Sequence, residues 1–165
     1  MVRFKNRYIC FKIDIEGEYE IQSGSKESKK SVVNLSISDI DSTIRTFVNS
    51  NYGDAGMSLL IGNMTVKYFS PVTKLGILRV ARDHYRMLWS SLTMISQIKS
   101  KRCRFSVLHI SGTINKCQKA AISFDRELIL KHFKEELRIK DSILIESNAK
   151  KTLESSKRDI ESLEH

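Results

Sequence analysis

Apolar and polar residues alternate along two stretches of the chain, a pattern typical of β-strands with one face turned to a core. In residues 7–15 the apolar face would carry Ile9, Phe11, Ile13 and Ile15. In residues 103–111, Phe105, Val107 and His109 would lie on one face of the strand. Residues 57–69 and 74–82 are also apolar and rich in residues that favour strands, and the turn between them holds the only proline, so they predict a hairpin.

The segments between these strands show apolar residues at three- and four-residue spacing, which predicts amphipathic helices. The first helix would begin at a cap formed by Ser36 or Ser38 and would end by residues 51–53, where Asn-Tyr-Gly is typical of a helix end. The second would follow Asp83, and its Trp89 would anchor the helix in the core, whereas a base-stacking role would require Trp89 to point outward.

The last strand should end at Gly112, and two short helices should follow it. The first would contain residues 114–121, and Asp125 would cap the second. Residues 135–165 are rich in Ser, Lys and Glu, which predicts a charged tail that is helical in part and frayed at its end.

The element order β-α-β-β-α-β predicts an α+β fold, the ferredoxin-like sandwich shared by RNA-recognition domains, with additional C-terminal helices. We expect a domain over residues 1–134, with a polar loop insert at 16–34, and the tail over 135–165. Two helices would cover one face of the sheet. The other face would remain for a partner or for the C-terminal helices.

The net charge of +9 is unevenly distributed along the chain. Residues 1–134 hold 22 Lys and Arg against 11 Asp and Glu, a net charge of +11, whereas residues 135–165 carry −2. A compact domain this basic usually meets a polyanion. No run of eighteen apolar residues exists and no secretory leader is recognisable, so we expect an intracellular protein that does not enter a membrane.

Catalytic patterns are missing from the sequence. The four histidines are scattered, no phosphate-binding glycine loop is present, and the three cysteines lack the spacing of a zinc site, so we expect them to be small buried hydrophobic residues. The strand at 75–82 is aliphatic and lacks the aromatic residues with which RNA-recognition domains stack bases. RNA would then be bound through phosphates and shape rather than by base readout.

The candidate RNA-binding residues form an N-terminal arm and clusters at the ends of predicted elements. They are Arg3, Lys5, Arg7, Lys67, Arg79, Arg82, Lys99, Lys101, Arg102, Ser111, Thr113, Lys116 and Lys119.

Over about residues 1–130 the chain resembles the small RRM-like protein subunit of ribonuclease P and ribonuclease MRP, a family of archaea and eukaryotes. The matching residues are Met1–Tyr8, Val66–Phe69, Thr73, Lys74, Gly76–Arg79, Trp89, His109–Ile114, Cys117 and Gln118.

The resemblance implies a non-catalytic subunit of an endoribonuclease in which the RNA performs the chemistry with Mg²⁺. The protein itself would bind no cofactor. The particle removes the 5′ leader of precursor tRNA or, as MRP, cleaves precursor rRNA in the nucleus and nucleolus. The implied partners are the catalytic RNA, a TIM-barrel-like protein subunit and other subunits, with precursor tRNA met only indirectly. Arg3, Lys5 and Arg7 would touch RNA near its catalytic core.

Two other hypotheses remain open. A free-standing RNA-binding module acting on other RNA would need exposed aromatic residues on the sheet, and the sequence offers none there. A small-molecule enzyme or regulatory domain of the same fold would need a polar pocket with clustered titratable groups.

Overall fold

The computed structural model describes residues 5–16, 34–137 and 143–163. Within these ranges, residues 132–137 and 143–148 are described by their backbone alone. Arg3 therefore lies outside the described residues, and so do residues 17–33 of the predicted 16–34 loop insert. The strands are β1 (Asn6–Ile15), β2 (Thr65–Phe69), β3 (Leu75–Ala81), β4 (Gln97–Ile98) and β5 (Lys101–Ser111). The helices are α1 (Ile37–Leu60), α2 (Tyr85–Met94), α3 (Ile114–Leu137) and α4 (Ile143–Glu161), with a 3-10 turn (Arg82–His84) before α2.

The strands form one antiparallel sheet in the order β2-β3-β1-β5-β4. Without the two-residue β4, this is the strand order of a ferredoxin-like sandwich, so the predicted fold class is confirmed. The central strand β1 pairs with β3 from Asn6 to Lys12 and with β5 from Tyr8 to Ile15. The start of β1 therefore lies beside the ends of β3 and β5.

One face of the sheet packs against α1 and α2. The alternation in β1 is confirmed, because Ile9, Phe11 and Ile13 are fully buried in this core. Ser36 caps α1 in a reciprocal arrangement with Asp39, since the Ser36 hydroxyl accepts from the Asp39 amide and the Asp39 carboxylate accepts from the Ser36 amide.

The second face of the sheet is covered by the α3–α4 hairpin. Tyr8 and Cys10 of β1 are buried there with Ile114 and Cys117 of α3 and Ile160 of α4. The predicted boundary after residue 134 falls inside α3, and α4 packs as part of this second core. Apolar or small residues at alternating four- and three-residue steps form the contacting side of α4 and of the residues that follow it, namely Ala149, Leu153, Ser156, Ile160 and Leu163.

Two polar contacts attach α4 to the rest of the fold. The side-chain amide of Gln118 donates to the carbonyl oxygens of Ile160 (2.9 Å) and Leu163 (3.0 Å), which closes the C-terminal end of α4. The buried Asp125 accepts a hydrogen bond from Thr73 in the β2–β3 turn (2.5 Å) and a short one from Ser156 of α4. These contacts tie the two helices to the hairpin turn.

Several local predictions were wrong. Residues 57–60 are helical, because Gly53 (φ 60°, ψ −160°) kinks α1 and the helix resumes after it. Asp125 lies inside the single helix α3 rather than capping a separate one. Trp89 is 43% exposed and points away from the core. His109 does not share the face of Val107, because a bulge shifts the β1–β5 register, so that Cys10 pairs with His109 and Phe11 with Val107.

Candidate nucleic-acid interface

Arg7 is the central residue of a cationic cluster at one end of the sheet. Its guanidinium carbon lies 6.0 Å from the centre of the Tyr85 ring at the start of α2. A Cβ atom on Gly112, at the junction of β5 and α3, would lie only 3.0 Å from Arg7 Nη1. Arg7 therefore bridges the first turn of α2 and the first turn of α3.

Two further cations flank Arg7 on the α2 side. The amide of Arg82 donates to the carbonyl oxygen of Lys5 at 2.8 Å, so the arm residue and the end of β3 are held together. Arg86 Nε donates to the Tyr85 hydroxyl at 3.3 Å. This hydrogen bond, together with the positive charges of Arg86, Arg7 and Arg82, lowers the pKa of Tyr85.

A row of polar residues crosses four strands just behind this end. Thr65 of β2, Arg79 of β3, Tyr8 of β1 and Ser111 of β5 lie opposite one another in the register. Arg79 is half-buried, and its buried Nε has no hydrogen-bond partner in the part of the chain that the structure describes. Lys67 lies at an irregularity in the β2–β3 pairing and is half-buried.

The beginning of α3 adds a helix N-terminus and two lysines. The Ser111 hydroxyl accepts from the Thr113 amide at 3.2 Å, and the Cys117 amide donates to the Thr113 carbonyl at 3.3 Å, where α3 starts. Lys116 and Lys119 are exposed one turn apart, and the first turn holds no acidic residue. A helix start of this kind attracts anions, because its amides and dipole are positive.

The candidate residues divide between the two ends of the sheet. Lys5, Arg7, Lys67, Arg79, Arg82, Ser111, Thr113, Lys116 and Lys119 lie at the end just described. Lys99, Lys101 and Arg102 lie at the other end, about 30 Å away along β1.

The two ends of the sheet differ in whether their cations are paired with carboxylates. Within the described part of the chain, cations at the end that holds Lys99 and Arg102 are paired, whereas those around Arg7 are not. Lys99 is 2.8 Å from Asp39, and Arg102 is 3.8 Å from Glu16. By contrast, Arg7, Arg82 and the other cations beside them form no ion pair with any carboxylate in the described ranges. Unpaired cations at fixed positions are what a phosphate backbone requires of a protein surface.

Sequence reasoning did not place Tyr85 and Arg86 on this surface, and it assigned Trp89 to the core. The buried residues of α2 are Leu88, Ser91 and Leu92. The absence of acidic residues from α2 was the available indication that its outer side is part of a cationic surface.

The described residues include histidines, cysteines and carboxylates, the side chains from which proteins build metal sites. No three His, Cys, Asp or Glu side chains come together as metal ligands within them. Cys10 and Cys117 are fully buried, and burial raises the pKa of the Cys117 thiol to about 12. None of the helices that the structure describes is long and apolar enough to cross a membrane.

A ferredoxin-like sandwich with unpaired cations gathered at one end is typical of the class of small RNA-binding domains. The sequence profile described as the Rpp14/Pop5 family matches residues 7–122. The chain belongs to this family, as its resemblance to the small ribonuclease P/MRP subunit predicted.

Named relatives agree with the family assignment. The chain is 40% identical over 130 residues to the "Ribonuclease P/MRP protein subunit POP5" of Schizosaccharomyces pombe, a match that covers 78% of this chain and 91% of that protein. The corresponding human protein is 29% identical over 134 residues, with 79% and 76% covered. A chain in the cryo-EM structure of yeast ribonuclease MRP shares the fold, with a TM-score of 0.50 and 12% identity over 69% of this chain and 79% of that one.

Proposed function

We propose that this chain is a protein subunit of the ribonuclease P and ribonuclease MRP particles, and that it holds their RNA through the cationic end of its sheet. The observation that carries the proposal is the arrangement around Arg7, which lies between Tyr85 and Gly112 with Arg82, Lys5 and the first turn of α3 nearby. Relatives at 40% and 31% identity carry the name of this subunit.

The protein's part in the reaction is structural. Fixed arginines and lysines at this end bind phosphates and stabilise the catalytic RNA core, where 5′-leader removal from precursor tRNA and cleavage of precursor rRNA take place. In keeping with the family role, Mg²⁺ would be bound by the RNA rather than by the protein. The same family role leads us to propose the nucleus and nucleolus as its location.

Protein partners would bind away from this end. Val72 in the β2–β3 turn is 63% exposed, and Leu130 on α3 is also exposed. A groove of about 300 Å³ between α3 and α4 is lined by Ile122, Leu153 and Ile160. These apolar surfaces support the hairpin and the C-terminal helices as the place where the TIM-barrel-like subunit docks.

Affinity purification of the tagged chain from its own cells tests the proposal. We expect one structured RNA to co-purify, and the eluate to remove the 5′ leader of precursor tRNA. A related RNA that cleaves only precursor rRNA would assign the chain to MRP alone. Recovery of mixed messenger RNA would favour the free-standing RNA-binding module and contradict the proposal.

A further inference from the structure

We propose that the RNA interface continues along α2, where Trp89 stacks on an unpaired base of the bound RNA. This inference rests on the proposed function, because it concerns the same surface. It concerns a different kind of contact, however: a base plane held by an aromatic ring, in addition to phosphates held by cations.

The orientation of α2 is fixed by its buried side. Leu88, Ser91 and Leu92 are fully buried against the sheet and α1, which leaves Trp89 on the outer side of the helix. Trp89 is 43% exposed although it is the largest apolar side chain available. A half-exposed indole presents a flat π surface without the entropic cost of ordering a flexible side chain.

Trp89 is continuous with the cationic cluster. It lies one helical turn from Tyr85, and the ring of Tyr85 has the guanidinium groups of Arg7 and Arg86 each 6.0 Å from its centre. Residues 82–94 contain one acidic residue, Asp83, so the outer side of α2 carries a net positive charge.

The charge decides the kind of partner. Arg7, Arg82 and Arg86 at its border would add little to an apolar patch that binds another protein. In RNA, every base is accompanied by a phosphate, which these arginines can bind. A duplex would offer Trp89 no free base plane. The structure therefore favours an unpaired nucleotide whose phosphate is held by Arg7, Arg82 or Arg86 and whose base lies on the indole.

Trp89 is the only tryptophan of the chain, so its fluorescence reports this contact directly. The full chain is titrated with a transcript of ribonuclease P RNA and, separately, with a fully paired RNA duplex. We expect the transcript to quench the fluorescence, because a stacked base quenches indole. The duplex should bind through the cations without comparable quenching.

Substitutions separate stacking from general apolar contact. Trp89→Ala should weaken binding of the transcript about 5- to 150-fold. Trp89→Leu should weaken it similarly, and Trp89→Phe should retain most of the affinity. The slope of affinity against salt should stay unchanged in all three, since stacking releases no counterions. Ile37→Ala, at a comparably exposed apolar position (45%) at the start of α1 near the opposite end of the sheet, is the matched control and should bind normally.

Thermal melts of each variant confirm that the fold is kept. If Trp89→Ala binds the transcript as tightly as the wild type and the wild-type fluorescence is not quenched, the stacking proposal is wrong while the proposed function stands. Loss of a co-purifying protein with normal RNA affinity would assign Trp89 to a protein interface and equally overturn it. Failure of the wild-type chain to bind the transcript at all would overturn both proposals.

Discussion

The guanidinium of Arg7 lies directly against Gly112, so close that even a Cβ atom at position 112 would make a tight contact with it. A methyl group at position 112 would meet Nη1 at 3.0 Å, and Arg7 would have to move. Because Nη1 is the far end of a flexible side chain, the move costs little folding energy but changes the position of the charge.

Gly112→Ala should therefore separate binding from stability. We expect the free energy of unfolding to change by no more than about 0.5 kcal/mol, as at other surface positions. RNA affinity should fall, but by less than for Arg7→Ala, because the guanidinium is displaced by a few tenths of an ångström rather than removed. Chemical denaturation and RNA titration of the two variants test this, and an equal affinity for Gly112→Ala and the wild type would show that the position of Arg7 is not important.

The N-terminal arm should act through counterion release. Replacing Arg3, Lys5 and Arg7 together with Ala should weaken RNA binding and reduce the slope of log affinity against log salt by about 0.7–0.9 for each phosphate that the variant no longer neutralises. Replacing Lys99, Lys101 and Arg102 is the comparison, since Lys99 and Arg102 are paired with Asp39 and Glu16. Equal slopes for the arm variant and the wild type would contradict a role of the arm in phosphate binding.

The last helix should contribute to the stability of the whole domain. Ile160→Ala removes a fully buried side chain and should lower the free energy of unfolding by about 2–5 kcal/mol. Lys150→Ala, at an exposed position of the same helix, should leave it nearly unchanged. Removal of residues 141–165 should move the cooperative unfolding transition to a lower denaturant concentration.

The buried carboxylate of Asp125 should couple α4 to the β2–β3 turn. Asp125→Ala leaves the hydroxyls of Thr73 and Ser156 without this acceptor, which costs about 1–3 kcal/mol for each group left unsatisfied. Thr73→Ala and Ser156→Ala should then be non-additive in a double-mutant cycle. Strict additivity would mean that the two hydroxyls are independent.

Asp39 should give the protein an acid-sensitive component of stability. Hydrogen bonds from Lys99 and Ser36 lower its pKa from 3.8 to about 2. Since the folded pKa lies below the unfolded one, the stabilisation is present above about pH 4 and is lost as the pH falls towards 2. The difference in unfolding free energy between the wild type and Asp39→Asn should shrink over this range, and a constant difference would contradict the assignment.

The sequence predicted the sandwich because each strand carries its own alternation and Ser36 its own capping pattern. It could not show that Asp125 is buried, because an Asp before an apolar run also resembles a helix cap. Only the packing of Thr73 and Ser156 against Asp125 distinguishes a buried acceptor from a cap. Gly53 resembled a helix end because glycine is common where helices stop. A positive φ ends some helices and only kinks others, depending on what the following residues can bury.

The sequence predicted which residues could bind RNA, but it did not predict which of them lie together in the fold. Sequence spacing identified Arg7 and Lys116 separately, but their location at the same end of the sheet depends on the antiparallel pairing of β1 with β5. Trp89 was assigned to the core because large aromatic residues usually are buried. Its helix already buries Leu88 and Leu92, and that leaves the neighbouring position outside.

The helical hairpin of α3 and α4 has one further consequence for how such a chain is used. With both faces of the sheet covered by its own helices, contacts with RNA and with other proteins are left to the outer sides of those helices and to the two ends of the sheet. These two ends lie about 30 Å apart along β1. A protein bound at the β2–β3 turn would therefore be held about that distance from a phosphate bound beside Arg7.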